Sequence, residues 1–175
     1  MRKLLNEELD RLSVEDFKST PKKSIIVILD NIRSMHNVGS AFRTSDAFLV
    51  EKIYLCGITA QPPHREIQKT ALGATESVTW EHAENTLTLI TQLREEGWKV
   101  AAIEQADESI SLEKFEFTSN EKYAFVFGNE VFGVEEEVVK KADFCIEIPQ
   151  FGTKHSLNIS VSMGVVIWDY FSKTN

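Results

Sequence analysis

Three segments of this 175-residue chain place polar and ionisable side chains where core patterning alone would not ask for them. The first runs Asp30-Asn31-Ile32-Arg33-Ser34-Met35-His36-Asn37-Val38-Gly39-Ser40-Ala41-Phe42-Arg43-Thr44. Gly39 allows close backbone approach at a helix start, where an anion is already favoured. The planar fork of Arg43, on the first turns of that helix, suits a phosphate. The plain alternative is that Asn37 caps the helix and Arg43 is a solvated surface residue. The second segment is Phe127-Gly128-Asn129-Glu130-Val131-Phe132-Gly133. Two glycines bracket a carboxylate in a tight loop that can show its backbone to a ligand. A simple strand-to-helix turn, with Glu130 near a helix N-terminus, would have the same look. The third runs from Ile148 and Pro149 through Gln150-Phe151-Gly152-Thr153-Lys154-His155 to Ser156-Leu157-Asn158-Ile159-Ser160. Ser156 is a good N-cap for the apolar helix that follows, an explanation that does not extend to Asn158.

Each segment follows a predicted strand. Ser24 to Leu29 is a continuous apolar run, as expected of a parallel strand buried on both faces. Further strands are expected at Lys52–Cys56, Val100–Ile103, Tyr123–Phe127 and Cys145–Ile148. Helices are expected over 1–18, 38–48, 84–96, 134–141 and 157–171, with a loop at Pro62-Pro63. Strand and helix alternate, so the class is α/β with a mainly parallel sheet flanked by helices. In such sheets ligands bind beyond the carboxyl ends of the strands, where the three segments could meet. The chain reads as one domain, 1–175, with an N-terminal helix to about residue 20 and a core over 24–171. The last helix is apolar nearly all round, from Leu157 to Phe171, and must be covered on several sides. A homodimer would do this.

Composition narrows the function classes. The N-terminus has no apolar signal region, and no apolar run approaches the roughly 20 residues of a membrane span. A cytoplasmic protein without membrane attachment is expected. Cys56 and Cys145 lie in apolar contexts and read as two buried free thiols. There is no H-E-x-x-H and no paired C-x-x-C, so no metal is implied. Dinucleotide, P-loop and nucleophile-elbow fingerprints are missing as well. The net charge of −8 argues mildly against nucleic acid. From Asn31 to Thr75, however, five basic residues (Arg33, Arg43, Lys52, Arg65, Lys69) face three acidic ones, with His36 and His64 beside them. The surplus acid falls elsewhere, as in Glu104 to Glu121 and Glu135 to Glu137. A local basic surface is therefore compatible with an acidic chain.

Taken together, the three segments resemble the SpoU family of RNA 2′-O-ribose methyltransferases, TrmH-like members of the SPOUT superfamily. N-x-G-x-x-x-R-T resembles its first motif at Asn37, Gly39, Arg43 and Thr44. G-N-E-x-x-G resembles its second at Gly128, Asn129, Glu130 and Gly133. I-P with S-L-N-x-S resembles its third at Ile148, Pro149, Ser156, Leu157, Asn158 and Ser160. The resemblance spans roughly residues 24–171 and implies a C-terminal trefoil knot, homodimerisation and S-adenosyl-L-methionine as cofactor. It implies cofactor contacts near Ile103, Gly128, Ile148, Ser156 and Leu157. It also implies a catalytic set of Arg43, Asn37, Glu130, Ser156 and Asn158, in which the last three orient Arg43, the ribose and the cofactor loop. Arg33, His36, Arg65 and Lys69 are candidate RNA contacts, with Arg2, Lys3, Arg11, Lys18, Lys22 and Lys23 as further cations. Phe42 is bulkier, and Val131-Phe132 more apolar, than the motifs lead one to expect. The RNA implied is tRNA first and rRNA second. A cofactor- or RNA-binding module without catalysis and a different mononucleotide enzyme are the rival readings.

Overall fold

The computed structural model describes residues 1–174; Asn175, the last residue of the expected domain, lies outside them. Seven strands form one sheet in the order β3-β2-β1-β6-β4-β7-β5. They are β1 (Lys23–Asp30), β2 (Val50–Cys56), β3 (Trp80–Ala83), β4 (Trp98–Ile103), β5 (Ile110–Ser111), β6 (Lys122–Phe127) and β7 (Phe144–Glu147). Every pairing is parallel, so the sheet is wholly rather than mainly parallel. The helices are α1 (Val14–Ser19), α2 (Met35–Ala47), α3 (Arg65–Ala71), α4 (Ala74–Ser77), α5 (Thr86–Glu95), α6 (Glu136–Lys141) and α7 (Ile159–Thr174).

The apolar run in β1 works as its pattern implies. Ile25, Val27 and Leu29 join a core with Val38, Ala41 and Phe42 of α2 and Met163, Val166 and Ile167 of α7. Ile26 and Ile28 point to the opposite face, against Leu89, Ile90 and Leu93 of α5 and Val138 of α6. Each such side chain contributes about 1.5–3 kcal/mol through burial. Phe42, an unusual neighbour for Arg43, is fully buried and sets its ring edge-on to Trp80 at 6.5 Å.

Three expectations change. The continuous N-terminal helix over 1–18 is not formed: a single 3-10 turn spans Asn6–Glu8, and α-helix begins only at Val14, capped by the Ser13 side chain accepting from Asp16 N. Leu5, Leu9 and Leu12 have helical spacing, but all are exposed, so no surface of this chain rewards helix formation there. Asn37 is not the cap of α2, because that helix starts two residues earlier and Ser34 Oγ accepts from Asn37 N at 3.3 Å. Of the two free cysteines, Cys56 is buried but Cys145 only half so. Burial pushes the Cys56 thiol up to about 12 and the Cys145 thiol up to about 11.

Gly39 lies in the second turn of α2, where a Cβ would meet Thr70 Oγ1 at 2.1 Å and Ile67 O at 2.2 Å. Its smallness therefore serves contact between α2 and α3 rather than approach of a ligand. Gly39→Ala is expected to lower stability by about 1–3 kcal/mol through overpacking. Urea denaturation would show this as a lower midpoint at unchanged slope.

Candidate functional site

The carboxyl ends of β4, β6 and β7 open into one cavity of about 730 Å³, well within the size range of small-ligand sites. Ile103 to Ala106 line it after β4, Phe127 to Val134 after β6, Glu147, Ile148 and Gln150 around the end of β7, and His155 to Ile159 at the mouth of α7. Apolar side chains in the walls are mixed with polar ones and with the carboxylates of Glu104, Glu130, Glu136 and Glu147. No group of three or more His, Cys, Asp or Glu able to hold a metal ion occurs among the described residues.

The loop after β6 is shaped by its own backbone. Asn129 and Gly133 exchange N–H to C=O bonds of 2.9 Å in both directions. Asn129 Oδ1 accepts from Val131 N at 2.9 Å and Phe132 N at 3.2 Å, while its Nδ2 donates to Asn31 O at 2.7 Å. Glu130 then reaches across to α2. Its Oε2 accepts from Arg33 N, and its Oε1 from Ser34 N and Asn37 Nδ2, all at 3.0 Å. Asn37 Oδ1 accepts in turn from Asn158 Nδ2 at 3.1 Å. Asn158 Oδ1 accepts from Ser160 N and Ser160 Oγ, at 2.9 and 2.6 Å. One polar chain thus joins the second motif to the first and the first to the third.

Charge follows from this geometry. Burial acts to raise the Glu130 carboxyl, but the donors from Arg33 N, its own backbone, Asn37 and Ser34 outweigh it and hold the group below its ordinary value. Across the cavity, Glu104 Oε2 accepts from Val134 N at 3.0 Å and Oε1 from Gln105 N at 2.8 Å. Gly133 has φ +70, and a Cβ there would stand 2.1 Å from Glu104 Oε2. Gln105 Nε2 donates to His155 O at 2.8 Å and ties the β4 end to the loop before α7.

Ile103, Gly128, Ile148, Ser156 and Leu157 all line the cavity, as do Glu130 and Asn158. Asn37 joins them by hydrogen bonding. Arg43 does not. It is exposed, in the third turn of α2, and its side chain has no hydrogen-bond partner among the described residues. Six residues separate it from Asn37, so it points roughly 120° away around the helix. Glu130 and Asn158 therefore orient α2 and α7, not Arg43, and Ser156 makes no side-chain hydrogen bond. Ser156 is also not the cap of α7, since Asn158 takes that place: its carbonyl accepts from Ser162 N at 2.9 Å. Arg33 and Arg65 are exposed. His36 and Lys69 both converge on Glu66, at 2.9 and 2.7 Å, so the Lys69 charge is paired and the His36 ring is already engaged.

Glu104, Gln105, Asn129 and Asn31 were not among the expected site residues. Asn129 sits inside the second motif, so its motif position was the available signal. Glu104 carried none, because it opens the acidic stretch that reads as solvated surplus.

Residues 24–168 match the SpoU rRNA Methylase family. A tRNA (guanosine(18)-2′-O)-methyltransferase of Aquifex aeolicus (strain VF5) is 29% identical over 167 residues, covering 95% of this chain and 76% of the relative. The 23S rRNA (guanosine-2′-O-)-methyltransferase RlmB of Neisseria meningitidis serogroup B (strain ATCC BAA-335 / MC58) is 30% identical over 143 residues, covering 82% of this chain. The aligned region spans 56% of that relative's length. Among solved structures, the A. aeolicus TrmH/SpoU tRNA modifying enzyme superposes with a TM-score of 0.80 at 25% identity, covering 91% of this chain and 81% of the other. The AdoMet-bound rRNA methyltransferase from Sinorhizobium meliloti gives 0.78 at 26% identity, covering 87% and 58%. With the match running from β1 into α7 and through all three loops of the cavity, the chain belongs to the SpoU rRNA methylase family.

Proposed function

We propose that this protein transfers a methyl group from S-adenosyl-L-methionine to a ribose 2′-hydroxyl of structured RNA, tRNA in preference to rRNA. The convergence of three separate loops on one cavity, tied by the Glu130–Asn37–Asn158 chain, carries this reading. The residues suit the cofactor: Ile103, Phe127, Ile148 and Leu157 offer apolar walls for a flat ring, and the lining carboxylates suit a cation. The preference for tRNA is supported by the Aquifex relative, which aligns over more of its own length than the rRNA relative does. A C-terminal trefoil knot, a cytoplasmic setting and a homodimer belong to the same reading. The exposed Val161, Val165 and Trp168 on the outer face of α7 are the apolar surface that a second subunit would cover.

Bound S-adenosylmethionine supplies an electrophilic methyl group on a sulfonium. The protein must hold the ribose oxygen in line with it and give the hydroxyl proton somewhere to go. Arg43 is a poor base, because its guanidinium is essentially always charged. Its free fork suits the RNA phosphate instead, and that phosphate helps to take the proton. Glu130 acts earlier, by fixing the backbone at Arg33 and Ser34 so that α2 and the cavity loop keep one geometry.

Nucleoside mass spectrometry of RNA from cells lacking the gene tests the function. One 2′-O-methyl nucleoside should disappear from tRNA and return when purified protein and cofactor are added. An unchanged set of nucleosides, with no transfer to that RNA in vitro, would overturn the proposal. Arg43→Ala should lower turnover by roughly 10²-fold through loss of phosphate positioning while leaving the thermal midpoint unchanged, because the side chain has no partner to lose. Glu130 also sets a pH dependence. Its carboxyl is lowered on folding, so the stabilisation is complete above the ordinary value of 4.5 and is lost as pH falls through the lowered one. Urea midpoints should therefore fall below about pH 4.5 in the wild type, with a shallower fall in Glu130→Gln.

A further inference from the structure

Two carboxylates of the cavity stand side by side without a cation. Glu104 follows the last residue of β4, and Glu147 is the last residue of β7. These strands pair with Ile103 opposite Ile146, and Glu104 N donates to Ile146 O at 3.1 Å, so the two glutamates are the next neighbours in register. Both are half-buried and both line the cavity. Glu104 is held by the amides of Gln105 and Val134. The Glu147 side chain has no hydrogen bond or ion pair among the described residues. Glu130 and Glu136 line the cavity too, although Glu136 is exposed and paired with Lys140. No Lys or Arg is among the lining residues, and His155 is the one basic ring. Lys154 sits beside it in the chain but does not line the cavity. Like charges on adjacent strands are destabilising, and a ligand cation would relieve them.

We propose that Glu104 and Glu147 make the cavity select the cationic methyl donor over its demethylated product. This rests on the cofactor reading above. S-adenosylmethionine carries a sulfonium, an ammonium and a carboxylate, one net positive charge. Loss of the methyl group leaves the bonding pair on sulfur, so S-adenosylhomocysteine is a thioether with no net charge. The methyl passes to the ribose oxygen, and the hydroxyl proton leaves toward the phosphate. The two ligands differ by little else than this charge, so the glutamate field holds the donor and lets the product go. Acting across about 8 Å at a permittivity between those of protein and water, two carboxylates change affinity on the order of tenfold. Salt weakens the effect.

Calorimetry of the purified full chain with S-adenosylmethionine, S-adenosylhomocysteine and sinefungin tests this. Sinefungin keeps the positive charge of the donor but has no transferable methyl, so it separates charge from reactivity. The donor and sinefungin should both bind about tenfold more tightly than the product in dilute buffer. The gap should narrow at high salt. Glu147→Gln, which loses no side-chain hydrogen bond, should narrow it about threefold by weakening the two cations and sparing the product. Glu104→Gln should act in the same direction, and the wild-type salt series decides the matter if either variant folds poorly. Product binding as tightly as the donor in dilute buffer, or a gap indifferent to salt and to Glu147→Gln, would overturn the proposal while leaving the cofactor reading intact. Failure of all three ligands to bind would overturn the cofactor reading, and this inference with it.

Discussion

The site depends on one carboxylate. Glu130 accepts hydrogen bonds from Arg33 N, Ser34 N and the Asn37 side chain. These donors belong to the turn and first residues of α2, while Glu130 belongs to the loop after β6. The two stretches are 93 to 97 residues apart in the chain. Backbone amides just before a helix have no partner within it. A carboxylate supplied from another loop satisfies them and fixes where α2 begins. The bonds are charge-assisted, which makes them stronger than neutral ones. Two functions that a small domain must reconcile, closing a helix end and shaping a ligand loop, are met by the same group.

The wholly parallel sheet makes this economy available. All seven strands end on the same side, so the loops after β1, β4, β6 and β7 emerge together. Around the cavity they are joined by side chains rather than by a shared apolar core: Asn129 to Asn31, Glu104 to Val134, Gln105 to His155. Such polar links have directional geometry and set loop positions more sharply than apolar contact. The sheet below supplies stability, with β1 buried on both faces. The division of labour is spatial. Hydrophobic burial fixes the strands, and hydrogen bonds fix what the strands carry.

Much of this was legible in the chain of residues. Continuous apolar runs marked β1 and β6, and the alternation of strand and helix gave a parallel sheet. The three polar loops stood out because core patterning could not explain them, and they meet. Other parts had no periodic signal to read. Between Pro62 and Ala83, α3, α4 and β3 are seven, four and four residues long, too short for a face to repeat. The leucines at 5, 9 and 12 show the reverse case, a helical period with nothing in this chain to pack against. Ser34 caps α2 rather than Asn37 because Asn37 is engaged by Glu130 and Asn158, partners remote in sequence. Glu104 reads as surface acid for the same reason: its meaning lies in Val134 and Gly133.

Asn158 has a double attachment with a thermodynamic consequence. One side of its amide caps α7 through Ser160, and the other donates to Asn37 at the cavity. The helix it caps carries Met163, Val166 and Ile167 in the core and Val161, Val165 and Trp168 outside. Whatever shifts Asn158 at the cavity therefore shifts the fraying equilibrium of the first turn of α7, and covering the outer face of α7 biases the same equilibrium from the other end. Events at the two places are linked functions of one variable, and their influence on each other is equal in both directions.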